Sequence, residues 1–249
     1  MEPRPEIAAV AAHFADRSRA RMLLELLDGT ARPASRLAEA AGVAASTASG
    51  HLARLTAAGL LTVEDQGRTR RYRLADHRVA GVLEALIPLA ATPTPSGLRA
   101  HTRWERLRVA RSCYDHLAGG LGTDLLAGLL EREALVRTDG VDGSGRGPQD
   151  DLSAPVQGAP YVLGPEAGSM FGELGIDVDE LAAARRPLLR ACTDWTEQRH
   201  HLAGGLGAAV LEAFTERGWV EARPGRRDLH VPQPARIHAW LTGAEDPPS

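Results

Sequence analysis

The sequence lacks lysine, contains few cysteines and has no long apolar run, and the last two of these features each exclude a class of protein. All 29 basic residues are arginine, which suits bidentate contacts with phosphate but indicates no function by itself. Two cysteines, Cys113 and Cys192, are too few for a disulfide framework. No uncharged apolar segment is long enough to span a membrane, and the first residues do not resemble a signal peptide. We therefore expect a cytoplasmic protein with no membrane partner.

The chain also lacks an overall positive charge. Its 249 residues carry a formal net charge of −3, so the protein is not a bulk polyanion binder, and any DNA contact must come from a local patch. Residues 1–91 contain 12 arginines and 10 acidic residues, whereas the rest contains 17 arginines and 22 acidic residues. The Pro- and Gly-containing segment 92–97 lies between these parts. We predict a domain over 1–91, a linker over 92–97 and a second domain over 98–249.

The first domain shows a readable order of elements. Asp16 precedes a helical apolar pattern that ends at Gly29, and two further helices are expected over 34–41 and 45–57. Two short strands, LLTVE and RRYRL, follow, and a glycine-containing turn joins them. Helix, tight turn, helix and hairpin is the order of a winged helix-turn-helix. The predicted fold class is thus mainly α with short β wings.

Three consecutive segments make a family resemblance specific. ADRSRARMLLELLDG, SRLAEAAGVAASTASGHLARLTAAGLL and EDQGRTRRYRL resemble the ArsR family of bacterial repressors over about residues 6–91. The resemblance implies a homodimer that places one recognition helix per subunit in adjacent major grooves of a palindromic operator. It also implies which residues face the DNA bases, with Arg54 nearer the phosphates: Ala45, Ser46, Thr47, Ser49 and His51.

The wing carries the densest positive charge in the first domain. Arg68, Arg70, Arg71 and Arg73 lie in one hairpin, where we expect them to contact phosphate or the minor groove. The metal sites known in the ArsR family are not present in this sequence. Residues 37–41 contain no thiol, and Asp76-His77 has no later ligand through Ala91. Any metal site in this chain must therefore lie elsewhere.

The second domain contains an internal repeat. HLAGGLG occurs at 116–122 and at 201–207, and the segments after each copy also match, giving repeat units of about 111–175 and 190–242. We expect each unit to form helix, strand, wing-like loop, strand and helix. We expect the glycine-rich run to serve helix packing, because neither copy is predicted to follow a strand and neither has the lysine of a phosphate-binding loop.

The residues most able to carry chemistry lie at the repeat. Cys113 and His116 are predicted to share one helix face, and Cys192 and His201 occupy the matching part of the second copy. Together they form a ligand set for a soft metal ion of the cadmium, lead, zinc or arsenic class. An organic ligand, a thiol redox switch and purely structural roles remain alternatives. For an organic ligand, we expect the pocket at Tyr114 and at Trp195, which lies in a six-residue insertion of the second copy.

These patterns predict a transcriptional repressor that is released from DNA by an effector bound in the second domain. An enzyme is not expected, because residues 98–249 show too few strands for the fold of small-molecule methyltransferases. The alternative is a protein-interaction or architectural DNA-binding module without an effector. That alternative differs from a repressor in showing no ligand-induced change in operator affinity.

Overall fold

A computed structural model describes residues 6–67, 69–90, 98–153, 155–158 and 160–244. The chain divides into two compact units, Met1–Leu83 and Glu84–Ser249. The predicted linker, residues 92–97, and Arg68 lie outside the described residues. Among the described helices, none combines the length and the apolar character that a membrane span requires.

The N-terminal part of the chain forms a winged helix-turn-helix, as the sequence predicts. A three-stranded antiparallel sheet in the order β1-β3-β2 accompanies the helices. The elements are α1 (Ile7–Ala15), α2 (Arg17–Glu25), β1 (Arg32–Pro33), α3 (Ala34–Ala41), α4 (Ala45–Ala57), β2 (Leu61–Gln66), β3 (Thr69–Leu74) and α5 (His77–Leu86). Strand β1 is too short to be detected as a periodic pattern in the sequence, and it is held by pairing of Arg32 with Tyr72.

Local sequence signals explain where these helices begin and end. The Asp16 carboxylate accepts a hydrogen bond from the Arg19 backbone N–H at 2.9 Å and caps α2. Asp76 caps α5 in the same way, accepting from the backbone N–H of Arg78. Pro88 has no N–H to continue the α-helix, and a 3-10 turn over Ile87–Leu89 replaces it.

The second unit consists of two copies of a hairpin–helix–strand–loop–strand–helix unit. The first copy contains β4 (Arg111–Cys113), β5 (His116–Ala118), α7 (Gly119–Glu131), β6 (Leu135–Arg137), β7 (Tyr161–Leu163) and α8 (Ala167–Gly172). The second contains β8 (Arg190–Thr193), β9 (His200–Ala203), α10 (Gly204–Glu216) and α11 (Pro234–Thr242), with α6 (Leu98–Val109) before the first copy and α9 (Val178–Ala183) between the copies. The later strands of the second copy are reduced to a bridge between Glu221 and His230. The predicted fold class is confirmed.

The start of each repeat differs from its prediction. Cys113 and His116 do not share a helix, because they lie opposite each other in the β4–β5 hairpin. The HLAGGLG run therefore crosses from a strand into a helix, so the expectation that neither copy follows a strand is wrong. Its first three residues form a strand because they pair with a neighbouring strand, and a three-residue run is too short for its periodicity to reveal that pairing.

Both copies contribute to one apolar core. Leu129 and Phe171 of the first copy and Leu206 and Phe214 of the second belong to one buried cluster, and none of the four is accessible to solvent. The helices α7 and α10 thus bury their apolar faces in a shared interior. This packing places the two hairpins where their side chains can meet.

Candidate functional site

Helix α4 presents a polar face of short side chains. Ala48, Leu52 and Leu55 recur at helical spacing and are fully buried, so the opposite face is directed to solvent. The exposed residues on it include five of the predicted DNA-contacting residues: Ala45, Ser46, Thr47, Ser49 and Arg54. The Ser49 hydroxyl donates to the Ala45 carbonyl oxygen at 3.0 Å, which holds it against the helix.

His51 is directed differently from the other predicted contacts. Its side chain is only 14% exposed, and its Nδ1 lies 4.0 Å from the Asp16 Oδ1 at the start of α2. Its contribution to base contact stays a prediction.

Two of the wing arginines form weak, solvent-exposed ion pairs. Arg70 is 74% exposed, with its Nε 3.6 Å from the Asp65 Oδ1, and Arg73 pairs with Glu64 at 2.9 Å. Exposed ion pairs of this kind contribute little to stability, so phosphate can replace the carboxylates as a partner. Arg71 lies closer to the domain body, where its Nη1 donates to the Ala31 carbonyl oxygen at 3.4 Å.

The second unit brings two cysteines and two histidines together. The ligand atoms of Cys113, His116, Cys192 and His201 all lie within 4.8 Å of one another. The imidazole rings of the two histidines stack with centroids 5.3 Å apart. Cys192, His116 and His201 are buried, and Cys113 is half-buried. The chain thus places two thiols and two imidazoles around one point.

Strand register explains why unequal spacings produce equivalent pairs. Cys113 lies directly opposite His116 in one hairpin, and Cys192 lies directly opposite His201 in the other. Two residues separate the first pair and eight separate the second, a difference of six. Side chains alternate between the faces of a strand, so an even insertion returns His201 to the face that Cys192 occupies. The insertion therefore lengthens the loop and leaves the pair intact.

Two glycines of the repeated motif allow the helix of each copy to approach the histidine of the other copy. A Cβ atom at Gly122 would lie 3.4 Å from the Cβ of His201, and one at Gly207 would lie 3.3 Å from the Cβ of His116. Each would also lie less than 3 Å from a backbone carbonyl oxygen of its own copy. The start of each helix thus packs on the histidine of the other copy, which only glycine permits at this separation.

Each imidazole has a carboxylate near its Nδ1 atom. The His116 Nδ1 lies 3.2 Å from the Asp115 Oδ1, and the His201 Nδ1 lies 3.7 Å from the Asp194 Oδ2. Among the described residues, neither Nε2 atom nor the His201 Nδ1 has a hydrogen-bond partner, although all three are buried. Buried polar atoms without partners are rare in folded proteins.

The ionisation of the thiols is uneven. Contact with the Cys192 thiol is the main cause of a strongly lowered pKa at Cys113, and the two imidazoles lower it further against the effect of burial. The same contact, together with burial, raises the pKa of Cys192. Burial alone would lower the pKa of His116, but Cys113 and Asp115 outweigh it and raise that pKa. The cluster therefore favours one thiolate beside a neutral thiol.

These residues fit a tetrahedral soft metal ion. Two thiolates and two imidazoles form a donor set that zinc and related ions prefer, and a carboxylate behind a ligating imidazole is a common supporting group. The unpaired Nε2 atoms provide the independent indication, since a metal ion would give each of them a partner.

Comparison with known proteins agrees with a helix-turn-helix transcriptional regulator. A helix-turn-helix domain family matches residues 14–64. The uncharacterized HTH-type transcriptional regulator YdfF of Bacillus subtilis is 35% identical over 233 residues, which are 94% of this chain and 95% of the relative. The chain belongs to the ArsR-type winged-helix transcriptional regulators.

Two other similarities of this ArsR-type regulator are partial. The HTH-type transcriptional regulator CmtR of Mycobacterium bovis is 38% identical over 81 residues, covering 32% of this chain and 68% of the relative. The NMR structure of the cadmium metal-sensor CMTR of Mycobacterium tuberculosis is 36% identical, covering 36% of this chain and 95% of that chain, with a TM-score of 0.30. The cluster spans positions 113 to 201, so the 81-residue match cannot contain all four of its residues.

The sequence interpretation of this ArsR-type regulator assigned no role to Arg111, Asp115 and Asp194, of which Arg111 and Asp194 are buried and Asp115 is half-buried. Asp194 is fully buried and accepts hydrogen bonds from the Arg111 Nη2 at 2.8 Å and from the Gly119 backbone N–H at 2.7 Å. Asp115 supports His116 and is paired with Arg186. The recurrence of RSCYD as RACTD, with an aspartate two residues after each cysteine, is the signal that indicates these positions.

The predicted pocket residues of this regulator lie in different environments. Tyr114 is 70% exposed in the β4–β5 turn, with a positive φ of 62°. Trp195 is buried, with the Arg111 guanidinium 4.8 Å from its ring centroid and Trp104 packed edge-on at 5.5 Å. The organic-ligand pocket predicted at these residues stays a prediction.

Proposed function

We propose that this regulator is a metal-responsive repressor that acts in the cytoplasm. In this proposal, it binds a palindromic operator as a homodimer, and a soft metal ion held by Cys113, His116, Cys192 and His201 releases it. The single observation that carries the metal proposal is the convergence of these four ligand atoms within 4.8 Å of one another, in two buried imidazoles whose Nε2 atoms have no hydrogen-bond partner among the described residues. The DNA-binding part of the proposal rests on the exposed face of α4 and the wing beside it.

The donor set favours zinc or cadmium among the candidate soft ions. Two sulfur and two nitrogen ligands match tetrahedral divalent ions, whereas the arsenic class is served by thiolates alone, and this cluster contains only two. Asp115 lies within hydrogen-bond distance of the His116 Nδ1, which leaves the His116 Nε2 as the nitrogen available to the ion.

Metal control of DNA binding requires that the ion favour one of two arrangements of the second unit. The cluster joins one hairpin of each repeat copy, so an ion bound there links the copies directly. An ion that binds more tightly to the arrangement with lower DNA affinity shifts the protein towards it. We expect a change in operator affinity of about 5- to 150-fold, the range usual for such coupling.

The test is operator binding with and without zinc or cadmium, measured by fluorescence anisotropy on fragments of the protein's own promoter region. We expect wild type to be released by one of the two ions and the Cys113→Ser, Cys192→Ser variant to stay bound. The His238→Gln variant, which removes an exposed histidine outside the cluster, should respond as wild type does. Wild-type DNA affinity that ignores both ions would contradict the metal proposal and favour a module without an effector.

Loss of wing charge should weaken DNA binding on every sequence. We expect the Arg70→Ala, Arg71→Ala variant to flatten the salt dependence of binding by about one unit of slope per lost phosphate contact. Changes at Ser46 and Ser49, by contrast, should alter sequence preference because they lie on the exposed face of α4. A gel shift over several salt concentrations measures both effects.

The matched control is the Arg106→Ala, Arg185→Ala variant, which removes two exposed arginines outside the wing. Equal weakening by both double variants would show that total charge, rather than the wing, governs binding.

The dimer proposed for the DNA complex requires apolar surface that a monomer leaves exposed. Ile7 is 72% exposed and Val10 is 53% exposed, and α1 has no buried residue. We expect light scattering to give twice the 26.5 kDa chain mass for wild type and the single mass for an Ile7→Asp, Val10→Asp variant. A Val136→Asp variant, changed at an exposed valine of β6, should remain dimeric. A monomeric wild type at micromolar concentration would exclude the dimer.

A further inference from the structure

A second candidate ligand site lies away from the metal-binding cluster. A cleft of about 720 Å³ opens beside α11. Its lining includes three arginines, two tryptophans and one carboxylate: Arg132, Arg217, Arg236, Trp219, Trp240 and Glu173. The volume falls in the range of small-molecule sites and far exceeds the volume of a single inorganic ion.

Two of the arginines donate to backbone carbonyl oxygens. The Arg132 Nη1 donates to the Trp240 carbonyl oxygen at 3.0 Å, and Arg217 donates to the carbonyl oxygens of Ala213 and Glu173. Within the part of the chain that the structure describes, neither guanidinium lies within ion-pair distance of a carboxylate. A guanidinium has five N–H donors, so each retains donors that these contacts do not use.

The contacts also orient the guanidinium groups. The Trp240 carbonyl oxygen holds Arg132 against the end of α11, and the Arg217 guanidinium lies 6.0 Å from the centroid of the Trp219 ring. An arginine placed this way loses little further side-chain freedom when it forms a bidentate pair. The adjacent indole offers apolar surface to the remainder of a ligand.

We propose that this cleft binds a small organic anion through Arg132 and Arg217. The anionic group, a carboxylate or a phosphate monoester, pairs with the guanidiniums, and the organic part lies against Trp219. Among the described lining residues, three arginines outnumber Glu173, so these side chains together carry excess positive charge. The site extends the proposed function by a second ligand and does not depend on the metal cluster.

The test is isothermal titration of the full-length protein with benzoate and with phenyl phosphate, using neutral benzamide as the control ligand. We expect one saturable site per chain for at least one of the two anions, and no saturable binding of benzamide. Which anion binds more tightly distinguishes a carboxylate ligand from a phosphate ligand. Absence of saturation by both anions up to about 10 mM would overturn the proposal.

The residues are tested by an Arg132→Gln, Arg217→Gln variant, for which we expect about tenfold weaker binding or more. The Arg106→Gln, Arg185→Gln variant removes the same charge from exposed positions outside the cleft and should bind normally. An Arg132→Lys variant retains the charge but loses the planar fork, so it should bind more weakly than wild type even if the double variant folds poorly. Unchanged affinity in both Arg132 variants would overturn the proposal.

The metal and anion proposals can fail separately. We expect the Cys113→Ser, Cys192→Ser variant to bind the anion as wild type does, because neither cysteine lines the cleft.

Discussion

The Cys113→Ser, Cys192→Ser variant is expected to bind zinc or cadmium at least about a thousandfold more weakly than wild type, which should bind one ion per chain. Structural zinc sites of this kind bind with apparent free energies of about 10–16 kcal/mol, and a thousandfold loss corresponds to about 4 kcal/mol. A hydroxyl replaces each thiolate, so half of the donor set is lost while the volume is nearly unchanged. The thiolate-to-cadmium absorption in the ultraviolet, titrated against a competing chelator, measures the affinity.

Single variants separate the four ligands. His116→Ala and His201→Ala should each weaken binding and leave the thiolate absorption of the residual complex in place. His238→Gln, outside the cluster, should bind the ion with wild-type affinity. If the double cysteine variant bound cadmium as tightly as wild type, the site would have to lie elsewhere in the chain.

Replacing Asp194 by alanine is expected to destabilise the second unit by about 3–5 kcal/mol, because it leaves a buried arginine without its partner. Arg111 is 2% exposed and Asp194 is 0% exposed, and they pair at 2.8 Å. Asp194 also accepts from the backbone N–H groups of Gly119, Thr196 and Glu197. Burial opposes ionisation, but Arg111 and these donors lower the pKa of Asp194 to about 2. Its carboxylate is therefore held in the charged form that Arg111 requires.

Tryptophan fluorescence during denaturant unfolding measures this effect, because all four tryptophans lie in residues 98–249. Asp115→Ala is the matched control, since Asp115 occupies the same place in the first copy and its pair with Arg186 is much more exposed. That variant should lose about 1 kcal/mol or less. If both variants lost the same stability, the burial of the Arg111–Asp194 pair would not be the cause.

Metal-free protein is the appropriate state for this comparison. Asp194 lies near His201 as well as Arg111, so its removal also disturbs the support of a proposed ligand. Chelator-treated samples isolate the contribution of the ion pair. If the stability difference between Asp194→Ala and Asp115→Ala is larger in zinc than in chelator, the excess measures how far Asp194 supports His201 as a metal ligand.

The sequence predicted the first unit well because its signals are local. Asp16 and Asp76 cap the helices that follow them, and the apolar spacing of Ala48, Leu52 and Leu55 identifies the buried face of α4. A helix cap and its target are separated by three residues or fewer, so the interaction is visible in a short window. Strand β1 was missed because its partner Tyr72 lies forty residues away.

The second unit was harder to predict because its starting elements are short. Cys113 and His116 have a spacing of three, which suits one helix face and also suits a hairpin with a two-residue turn. The spacing of Cys192 and His201 suits only a hairpin, provided that the inserted loop leaves the two strands in register. Comparing the two copies could therefore have indicated the hairpin.

The sequence by itself determined the winged helix-turn-helix, the ArsR resemblance, the duplication and the four candidate ligands, because residue type and repetition along the chain carry that information. Only the tertiary structure decided that the four ligand atoms meet, that a glycine of each copy packs against the histidine of the other, and that Asp194 of one copy neutralises Arg111 of the other. These are contacts between residues about eighty positions apart. They depend on how the two copies pack around a shared core, which no local pattern in either copy specifies.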